Sequence, residues 1–592
     1  MSEAGVSRTR PVARWTLPKV SREATLNLAH SLGVEPIVAA VLVNRGLADP
    51  ERACEFLSPK LDALHDPFLM RDMDRAVARL ESAIARHEPI LLYGDYDVDG
   101  TVSIVVLKRA IEILGGKASF HIPHRLSEGY GMRNEIIDRA AKDGIRLIVS
   151  VDTGIRARDV VSHANAGGID VIVTDHHLPE AELPPARAVL NPNRRDCDYP
   201  DKNLCGAAVT FKLVQALLQR SRIEPERRRA LLDSFLKPVA IATVADVVPL
   251  VEENRVIVRR GLTGLRTVRN AGLRALLSVA GFDAGECPSA NQVAFRLAPR
   301  INAAGRMATA QDVIELFLTG NADRARELAE RLDTLNRERQ QVETEIVEAI
   351  LKQCGEEAAY EAPALVFAGR DWHLGVLGIV ASRLAERFHR PVFVLSNRPP
   401  ADVEDPCLSG SGRSIPAFHL LEALESMSGL FEKFGGHRQA AGLTLREEQL
   451  EPFRDRFAEF AAARLSAEDL QPHYAADAVG SFRELNDRSV EQMFGLGPFG
   501  FGNACPLFYA PGAEVAGPAK AMGDGKHLTV PLRQEGRMLF VKAWNFGDRA
   551  AMFERGAMLD VLFQIEEDSS GRKRGYGSWC VSVKDVRAAE RN

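Results

Sequence analysis

Four short apolar runs of the chain alternate with amphipathic stretches from about residue 89 onward. The runs PILLYG, KASFHI, IRLIVSVD and IDVIVTD have the length and the β-branched content of buried strands. The stretches between them, TVSIVVLKRAIEILGG, NEIIDRAAKDG and ARDVVSHANAGG, repeat their apolar positions with a helical period. This alternation predicts βαβ units and a parallel sheet, which we expect to continue to about residue 250.

The pattern changes after this region. Residues 321 to 353 contain neither Gly nor Pro and predict one long, highly charged helix, which is typical of a bridge between two domains. A second α/β region is expected from PALVFAG to about residue 465. The runs HLTVPLR, MLFVKAW and MLDVLFQI then favour a small β-barrel between about 475 and 590.

The composition is that of a globular protein with several domains. The chain has 592 residues, of which 46% are hydrophobic and 26% charged, and its net charge of −5 means that any nucleic-acid site must depend on local positive charge. The eight cysteines form no Cys-x-x-Cys pair, which argues against a zinc ribbon and a disulfide framework. Because neither a signal-peptide apolar region nor a run of ~20 apolar residues is visible, we expect a reduced, cytoplasmic protein without a membrane span.

The segment DYDVDG concentrates negative charge directly after the first predicted strand. Asp95, Asp97 and Asp99 precede a glycine, as in a calcium-binding loop, but the twelfth position of such a loop requires Glu and is Val106 here. Capping of the following helix would explain one or two carboxylates. Helix capping does not explain three carboxylates in this segment.

Other predicted elements end in similar side chains. LIVSVDTG ends in Asp152, VIVTDHHLP contains Asp175, His176 and His177, and IATVADVVPL places Asp246 in an apolar segment. Sites of parallel sheets lie outside the carboxyl ends of the strands, so these groups are expected to converge. Carboxylates with imidazole and without thiolate favour Mn²⁺ or Mg²⁺, and two such ions ~3.5–4 Å apart would catalyse phosphoester hydrolysis.

The motifs DYDVDG, VDTG, TDHH and ADVVPL, in this order, resemble the four motifs of the DHH phosphoesterase family. APRINAAGRM, GSGRS and FGGHRQAAG resemble the connecting and DHH-associated regions of the bacterial single-stranded-DNA exonucleases in that family. LGPFGFGNACPLF resembles the start of their terminal OB-type barrel. The resemblance extends from about residue 70 to the C-terminus.

The resemblance implies a metal site and a catalytic role for several residues. The implied metal ligands are Asp97, Asp99, Asp152, His176 and Asp246. His177 would contact the scissile phosphate or protonate the leaving group, Asp152 would bridge two ions, and Arg306 would lie near the scissile phosphate. Many small family members carry a histidine at the position of Tyr93, so the ligand number at one ion stays open, as does a contribution of Asp95.

Three loops are candidates for substrate binding. Arg125 and Tyr130 follow a predicted strand and could contact phosphate and base, or belong to an ordinary surface loop. SGSGRS is interpreted as a glycine-rich loop that binds phosphate, and GGHRQAAG as a segment whose glycines let the backbone come close to the substrate. The alternative for each segment is a tight turn. The candidate residues are Ser411, Arg413, Gly435, Gly436 and His437. The barrel adds the basic residues Lys526, Arg533, Arg537, Lys542 and Arg572 to Arg574.

The fold class expected from pattern and resemblance is α/β. A parallel-sheet DHH domain would be joined by the long helix to a DHH-associated α/β domain and followed by a C-terminal OB-type barrel. The predicted segments are an N-terminal segment (1–65), the DHH catalytic domain (66–270), a connecting region with the long helix (271–355), the DHH-associated domain (356–468) and the OB-fold domain (469–592).

The function implied by the resemblance is that of a 5′-to-3′ exonuclease of single-stranded DNA in recombination and repair. Two ions, Mn²⁺ or Mg²⁺, would be its cofactors, and a helicase and a single-strand-binding protein its partners. The alternatives are a DHH phosphodiesterase of short oligonucleotides or cyclic dinucleotides, and a catalytically inactive replication scaffold.

Overall fold

The computed structural model of the chain describes residues 12–125, 129, 131–397, 407–568 and 578–589. Within these ranges the chain forms two compact units. The first contains residues 61–470, and the second contains residues 12–60 together with 471–592. The boundaries predicted at 65, 270, 355 and 468 stay predictions.

The first unit contains a five-stranded sheet in which all strands are parallel. In chain order its strands are β1 (Ile90–Tyr93), β2 (Ala118–His121), β3 (Leu147–Val151), β4 (Asp170–Thr174) and β5 (Ala188–Leu190). Their spatial order is β2-β1-β3-β4-β5. The four strands predicted from the apolar runs are thereby confirmed.

Both faces of this sheet are buried, as expected for parallel strands covered by helices. Leu92 and Val149 pack into one core and Leu91 and Ile148 into another. The helices around the sheet and after it are α1 (Met73–Ala85), α2 (Val98–Ile113), α3 (Asn134–Lys142), α4 (Arg158–Ala166), α5 (Gly206–Arg220), α6 (Pro225–Ala245), α7 (Glu252–Gly264), α8 (Ala271–Val279), α9 (Ala298–Met307) and α10 (Gln311–Leu318).

The prediction that strands continue to about residue 250 was wrong. Among the described residues, the last strand of this sheet ends at Leu190, and the apolar run IATVA closes α6. A short, fully buried apolar run has the same appearance in a strand and in a core helix, because neither leaves a polar face. Asp246 therefore follows a helix rather than a strand.

The long charged helix is confirmed as α11 (Ala322–Cys354), which spans ~50 Å at ~1.5 Å per residue. Its first half packs Ala325 and Leu328 into the core of the parallel-sheet region. Its second half packs Ile346 and Ile350 into a core of the following α/β region. The helix thus joins two hydrophobic cores.

The second α/β region contains a mixed sheet. Its strands are β6 (Leu365–Gly369), β7 (Val392–Ser396), β8 (Cys407–Arg413), β9 (Lys433–Gly436) and β10 (Ala440–Arg446), and their order is β9-β10-β8-β7-β6. β6 and β7 are parallel and the other pairs are antiparallel. The accompanying helices are α12 (Glu356–Glu361), α13 (Leu374–Phe388), α14 (Leu420–Ser426) and α15 (Leu450–Ala462).

The interpretation of SGSGRS as a glycine-rich loop was wrong, because this segment forms most of the central strand β8. A Cβ at Gly410 would lie 2.0 Å from the carbonyl oxygen of Val394, and one at Gly412 would lie 2.5 Å from the ring of Phe393. The glycines leave room for the neighbouring strand and its aromatic ring, rather than for a turn.

The second unit contains the predicted barrel. Five strands close in the order Phe508–Val515, His527–Gln534, Arg537–Ala543, Trp579–Ala588 and Met558–Glu567. This is the connectivity of an OB fold. The N-terminal helices Arg22–Leu32, Pro36–Asn44 and Pro50–Leu57 share its hydrophobic core, and the short strand Arg14–Thr16 pairs with His473–Ala475.

Among the described residues, no single helix combines the length and the apolar content needed to cross a membrane. The helices Arg22–Leu32 and Pro36–Asn44 meet this test only as a pair, with a bend of 116° between them.

Candidate active site

The acidic segment after β1 forms the start of α2. Asp97 is the N-cap residue, and its Oδ1 accepts a hydrogen bond from the N–H of Gly100 at 3.0 Å. A Cβ at Gly100 would lie 2.5 Å from the carbonyl oxygen of Asp95, so only glycine permits this turn. The capping interpretation therefore accounts for Asp97 but leaves Asp95 and Asp99 to be explained.

Asp99 lies in the first turn of α2 and is directed towards another helix. Its two carboxylate oxygens accept the N–H groups of Gly206 and Ala207, at 2.6 and 2.8 Å, from the first turn of α5. A Cβ at Gly206 would lie 2.7 Å from the side chain of Asp152. The start of α5 therefore orients Asp99 and packs directly against Asp152.

His176 lies at the centre of the carboxylates. Its Nε2 is 3.3 Å from Asp152 Oδ1, 3.8 Å from Asp99 Oδ2 and 3.7 Å from Asp246 Oδ2. Asp152 directly follows β3 and has a φ of 57°, and Asp246 is the residue that caps the C-terminus of α6. Two strands and two helices thus bring these side chains to the carboxyl edge of the sheet.

Among the residues that the structure describes, three overlapping groups of side chains could hold a metal ion, and within each group the ligand atoms lie within 4.8 Å of one another. They are Asp95, Asp97 and Asp152; Asp99, His176 and Asp246; and Asp152, His176 and His177. Asp152 belongs to two groups. The structure therefore brings all five implied ligands together, with Asp95 beside them.

The electrostatics of this cluster favour a cation. Burial, followed by the charge of Asp97, raises the pKa of Asp95 to about 8. Burial and neighbouring carboxylates also raise the pKa values of Asp97, Asp152 and Asp246. Asp95 Oδ1 and Asp246 Oδ2 are buried without a hydrogen-bond partner among the described residues. An oxygen-rich donor set with one imidazole fits Mn²⁺ or Mg²⁺.

Asp175 is a site residue that the sequence analysis left without a role. Its Oδ1 accepts the Nδ1–H of His177 at 2.7 Å and the backbone N–H of His176 at 2.7 Å. Although burial acts in the opposite direction, this hydrogen bond and the charge of Asp175 raise the pKa of His177. Asp175 therefore fixes the orientation of the His177 ring through its Nδ1. The TDHH motif contained this signal, since a buried Asp beside a His commonly orients it.

Four arginines from four segments of the chain lie near one another beside the acidic cluster. Nη1 of Arg306 donates to the Gly375 carbonyl oxygen at 3.0 Å, and a Cβ at Gly378 would lie 2.9 Å from Arg413 Nη2. Burial, followed by the charges of Arg125, Arg339 and Arg413, lowers the pKa of Arg306 to about 10. Mutually repelling guanidinium groups in a partly buried position favour the binding of an anion.

Several contacts around these arginines were not predicted. The Arg125 guanidinium lies 4.9 Å from the centre of the Tyr96 ring. Asn302 Oδ1 accepts the N–H of Val98 at 3.2 Å, and a Cβ at Gly305 would lie 2.5 Å from the carbonyl oxygen of Tyr96. The helix α9 that carries Arg306 is therefore docked on the acidic segment by its NAAG sequence.

The remaining candidate residues for substrate binding lie in separate parts of the structure. His437 follows β9 and lines a cleft of about 690 Å³ together with Thr153, Arg156 and His177. Burial, then the charges of Arg156 and His177, lowers the pKa of His437.

The two glycines before His437 belong to β9, where Gly436 has a φ of 151° and packs closely on the Ala440 carbonyl oxygen. Ser411 lies inside β8, opposite Val394 and Gly442. Tyr130 falls outside the described residues, as do Arg572 to Arg574.

Tyr93 does not replace the histidine of the small family members. Its ring packs with Leu91 in the core on one face of the sheet, and its hydroxyl donates to the Gly131 carbonyl oxygen at 3.2 Å. It belongs to none of the three potential metal groups among the described residues.

The raised carboxylate pKa values predict an unusual dependence of stability on pH. A carboxylate whose pKa is higher in the folded chain binds more protons when folded, so its stabilising contribution is lost as the pH rises through the folded pKa. For Asp95 this occurs around the pKa of about 8. We expect the Tm of the metal-free protein to fall between about pH 6 and about pH 8.5, and the increase in Tm on adding Mn²⁺ to grow over the same range, because binding displaces protons.

Thermal unfolding in EDTA and in Mn²⁺ at several pH values measures both quantities. An Mn²⁺-induced shift that shrinks with increasing pH would contradict this assignment of the cluster.

Three parts of the chain match known protein families. Residues 89–243 match the DHH family N-terminal domain, residues 361–463 match the DHHA1 domain, and residues 476–575 match the RecJ OB domain. Together these matches follow the order of the parallel-sheet region, the second α/β region and the barrel.

Two bacterial relatives match most of the chain. The single-stranded-DNA-specific exonuclease RecJ of Bacillus subtilis (strain 168) is 35% identical over 578 residues, which cover 98% of this chain and 71% of that protein. The protein of the same name from Escherichia coli (strain K12) is 37% identical over 487 residues, covering 80% of this chain and 83% of that protein.

A crystal structure of RecJ in complex with Mn²⁺ from Thermus thermophilus superimposes with a TM-score of 0.81. Its sequence is 30% identical, and the match covers 98% of this chain and 80% of that chain.

Proposed function

Because the chain belongs to the RecJ family of single-stranded-DNA-specific exonucleases, we propose that it is a metal-dependent exonuclease that degrades single-stranded DNA from its 5′ end. The observation that carries this proposal is the convergence of the carboxylates around His176 at the carboxyl edge of the sheet. The relatives supply the substrate class, and the polarity rests on the resemblance of the motifs.

The metal ions would be held by Asp97, Asp99, Asp152, His176 and Asp246, with Asp152 shared and Asp95 adjacent. When bound, divalent ions supply Lewis-acid stabilisation of the charge that develops on the phosphoryl group and activate water. The protein orients the ligands through the start of α5, which holds Asp99, and through the turn at Asp152. Like-charged carboxylates would otherwise disfavour this arrangement.

His177 would act on the substrate directly. Its Nδ1–H is held by Asp175 at 2.7 Å, so Nε2 can be protonated and donate to the scissile phosphate or to the leaving 3′ oxygen. Arg306, Arg413 and Arg125 would bind phosphate oxygens through charge-assisted hydrogen bonds. His437 would line the path of the DNA in the cleft beside His177.

The alternatives are less well supported. A scaffold without activity would not need the buried carboxylate cluster, which opposes folding of the metal-free chain. A phosphodiesterase of short oligonucleotides would not need the OB-type barrel, which matches the RecJ OB domain over residues 476–575.

The partners and location follow from the proposed activity. A helicase would supply single strands from duplex DNA, and a single-strand-binding protein would occupy the same substrate. The proposed location is the cytoplasm, where a bacterial chromosome is accessible.

Linear and circular forms of the same single-stranded DNA test the proposed reaction. An exonuclease with this site degrades the linear form in Mn²⁺ or Mg²⁺, leaves the circular form intact, and degrades neither in EDTA. Degradation of the circle at a comparable rate, or of linear DNA in EDTA, would contradict the proposal.

The barrel presents a surface suited to single-stranded DNA. On the strand Arg537–Ala543 the side chains of Met538 and Phe540 face outward with Lys542, and Trp544 follows them. Phe540 is 63% exposed. In OB folds, the face formed by the second and third strands is the one that binds oligonucleotides, and exposed aromatic rings stack on bases.

Replacing Phe540 by alanine is therefore expected to weaken single-stranded DNA binding by about 10-fold, within the range for loss of one stacking contact. Met558→Ala removes a similarly exposed apolar side chain from a strand that is not adjacent to Arg537–Ala543, and serves as the matched control. Fluorescence anisotropy with labelled oligothymidylate in EDTA measures both affinities. Equal affinities for the two variants would show that this face does not bind the DNA.

A further inference from the structure

The residue after Asp246 has a backbone conformation that its side chain disfavours. Val247 has a φ of 58°, in the left-handed region, where a β-branched residue is a genuine outlier. It occupies the first position beyond the C-cap of α6, which is usually glycine when the backbone is left-handed. Its N–H reaches the carbonyl oxygen of Val244 at 3.4 Å, so the turn ends the helix with a weak hydrogen bond.

Burial of the Val247 side chain does not offset the unfavourable backbone conformation. The Val247 side chain is 64% exposed, whereas Leu250, a few residues later, is buried. A glycine at position 247 would form the same turn without the steric conflict. The isopropyl group therefore contributes little to the folded protein itself.

The position of Val247 relative to the metal site is fixed by the chain. Its Cα lies ~3.8 Å from the Cα of Asp246, as for any trans peptide. The Asp246 carboxylate points inward, with Oδ2 3.7 Å from His176 Nε2. An exposed apolar residue thus directly follows, in the chain, a carboxylate of the cluster.

We propose that Val247 is a specificity-determining residue that contacts the deoxyribose next to the scissile phosphate and disfavours ribose. The proposal rests on the proposed nuclease function. The sugar is the part of the substrate bonded directly to the phosphate, so an apolar group next to a metal ligand meets the sugar before the base. The C2′ edge of deoxyribose is apolar, whereas ribose carries a hydroxyl there.

Contact with an isopropyl group would remove water from a 2′-hydroxyl without providing a hydrogen-bond partner. An apolar wall rejects an added hydroxyl only moderately, by up to ~100-fold. We therefore expect Val247 to account for about 10-fold of the preference for DNA. The strained backbone holds the side chain at this position.

Three variants of the full-length protein test whether the apolar side chain of Val247 sets the preference. Val247→Gly removes both the side chain and the strain, and Val247→Asn keeps a side chain that tolerates the left-handed region but is polar. His87→Gly is the matched control: His87 also follows the C-cap of a helix, α1, with a φ of 54°, and is exposed. It precedes the amino end of β1, at the edge of the sheet opposite the carboxylates.

The substrates are 5′-phosphorylated oligodeoxynucleotides, either all DNA or with one ribonucleotide at the first or second position. The measured quantity is the ratio of kcat/KM for the all-DNA strand to that for the ribose-containing strand, in Mn²⁺. We expect this ratio to fall by about 10-fold in both Val247 variants and to stay unchanged in His87→Gly. The Tm should rise in both glycine variants, because each relieves a left-handed non-glycine residue.

An unchanged ratio in Val247→Gly and Val247→Asn, or a wild-type protein that does not distinguish the two strands, would overturn the inference while leaving the nuclease function intact. A wild-type protein that degrades no single-stranded DNA in Mn²⁺ would instead refute the proposed function, and this inference with it. The ratio compares two substrates of one protein, so a general loss of activity in a variant does not affect it.

Discussion

Replacing Asp152 by asparagine is expected to lower the rate of single-stranded DNA hydrolysis by at least ~10³-fold while the metal-free protein stays folded. Asp152 belongs to two of the three potential metal groups, so its loss removes a charged ligand from both. Asparagine is the appropriate substitution because it tolerates the φ of 57° at this position better than alanine does.

The effect on stability should have the opposite sign. Burial and the charges of Asp99, Asp97 and other carboxylates raise the pKa of Asp152 well above its usual range, so a neutral amide relieves repulsion in the metal-free fold. We expect the Tm in EDTA to be unchanged or higher, and the increase in Tm with Mn²⁺ to be smaller.

Single-turnover digestion of an end-labelled strand at saturating Mn²⁺, together with thermal unfolding, measures both effects. Asp143→Asn is the control, since Asp143 is exposed and follows α3 at the amino side of the sheet. Turnover of the Asp152 variant within about 10-fold of the wild type would contradict its role as a shared ligand.

Replacing Arg306 by glutamine is expected to lower kcat/KM by about 10²- to 10³-fold, the range found when one preorganised donor to a developing charge is removed. Its guanidinium is largely buried, donates to the Gly375 carbonyl oxygen and lies among other arginines. Because these arginines repel one another without an anion, the free protein should not lose stability. The loss should be similar for a strand with a 5′-phosphate and for one with a 5′-hydroxyl, because the charge that Arg306 stabilises develops on the scissile phosphate.

Kinetics on the two kinds of strand, with thermal unfolding of the free protein, test this prediction. Arg326→Gln serves as the control, because Arg326 is exposed on α11 and pairs with Asp323 of the same helix. A Tm reduced as strongly as the activity would show that Arg306 supports the fold rather than the substrate.

Much of the architecture could be predicted because the relevant signals are local. Buried parallel strands appear as short apolar runs, and the position of acidic residues directly after them places those residues at one edge of the sheet. The side chains that follow β1, β3 and β4 could therefore be expected to meet. The sequence analysis left the role of Tyr93 open; the structure shows that Tyr93 shares the face of Leu91 and packs into the core.

Other features depend on contacts between distant segments. The sequence alone could not show that IATVA is helical, because a buried helix and a buried strand are both uniformly apolar. SGSGRS could not be predicted to form β8, because the space its glycines leave is filled by Phe393 and by the backbone at Val394. The role of Asp175 could be recognised only from its distance to His177 Nδ1 in the structure. The turn at Val247 has no local sequence signal, because glycine is the residue expected at such a position.

The most direct test of the account compares two labels on one DNA strand. An oligodeoxynucleotide labelled at its 5′ end, and the same strand labelled at its 3′ end, are digested briefly with the wild-type protein in Mn²⁺ and in EDTA. The site described here predicts that the 5′ label appears at once as a mononucleotide, that the 3′ label persists in shortening fragments, and that neither changes in EDTA. Release of the 3′ label first, internal cleavage, or digestion without a divalent ion would contradict a metal-dependent 5′ exonuclease at this carboxylate cluster.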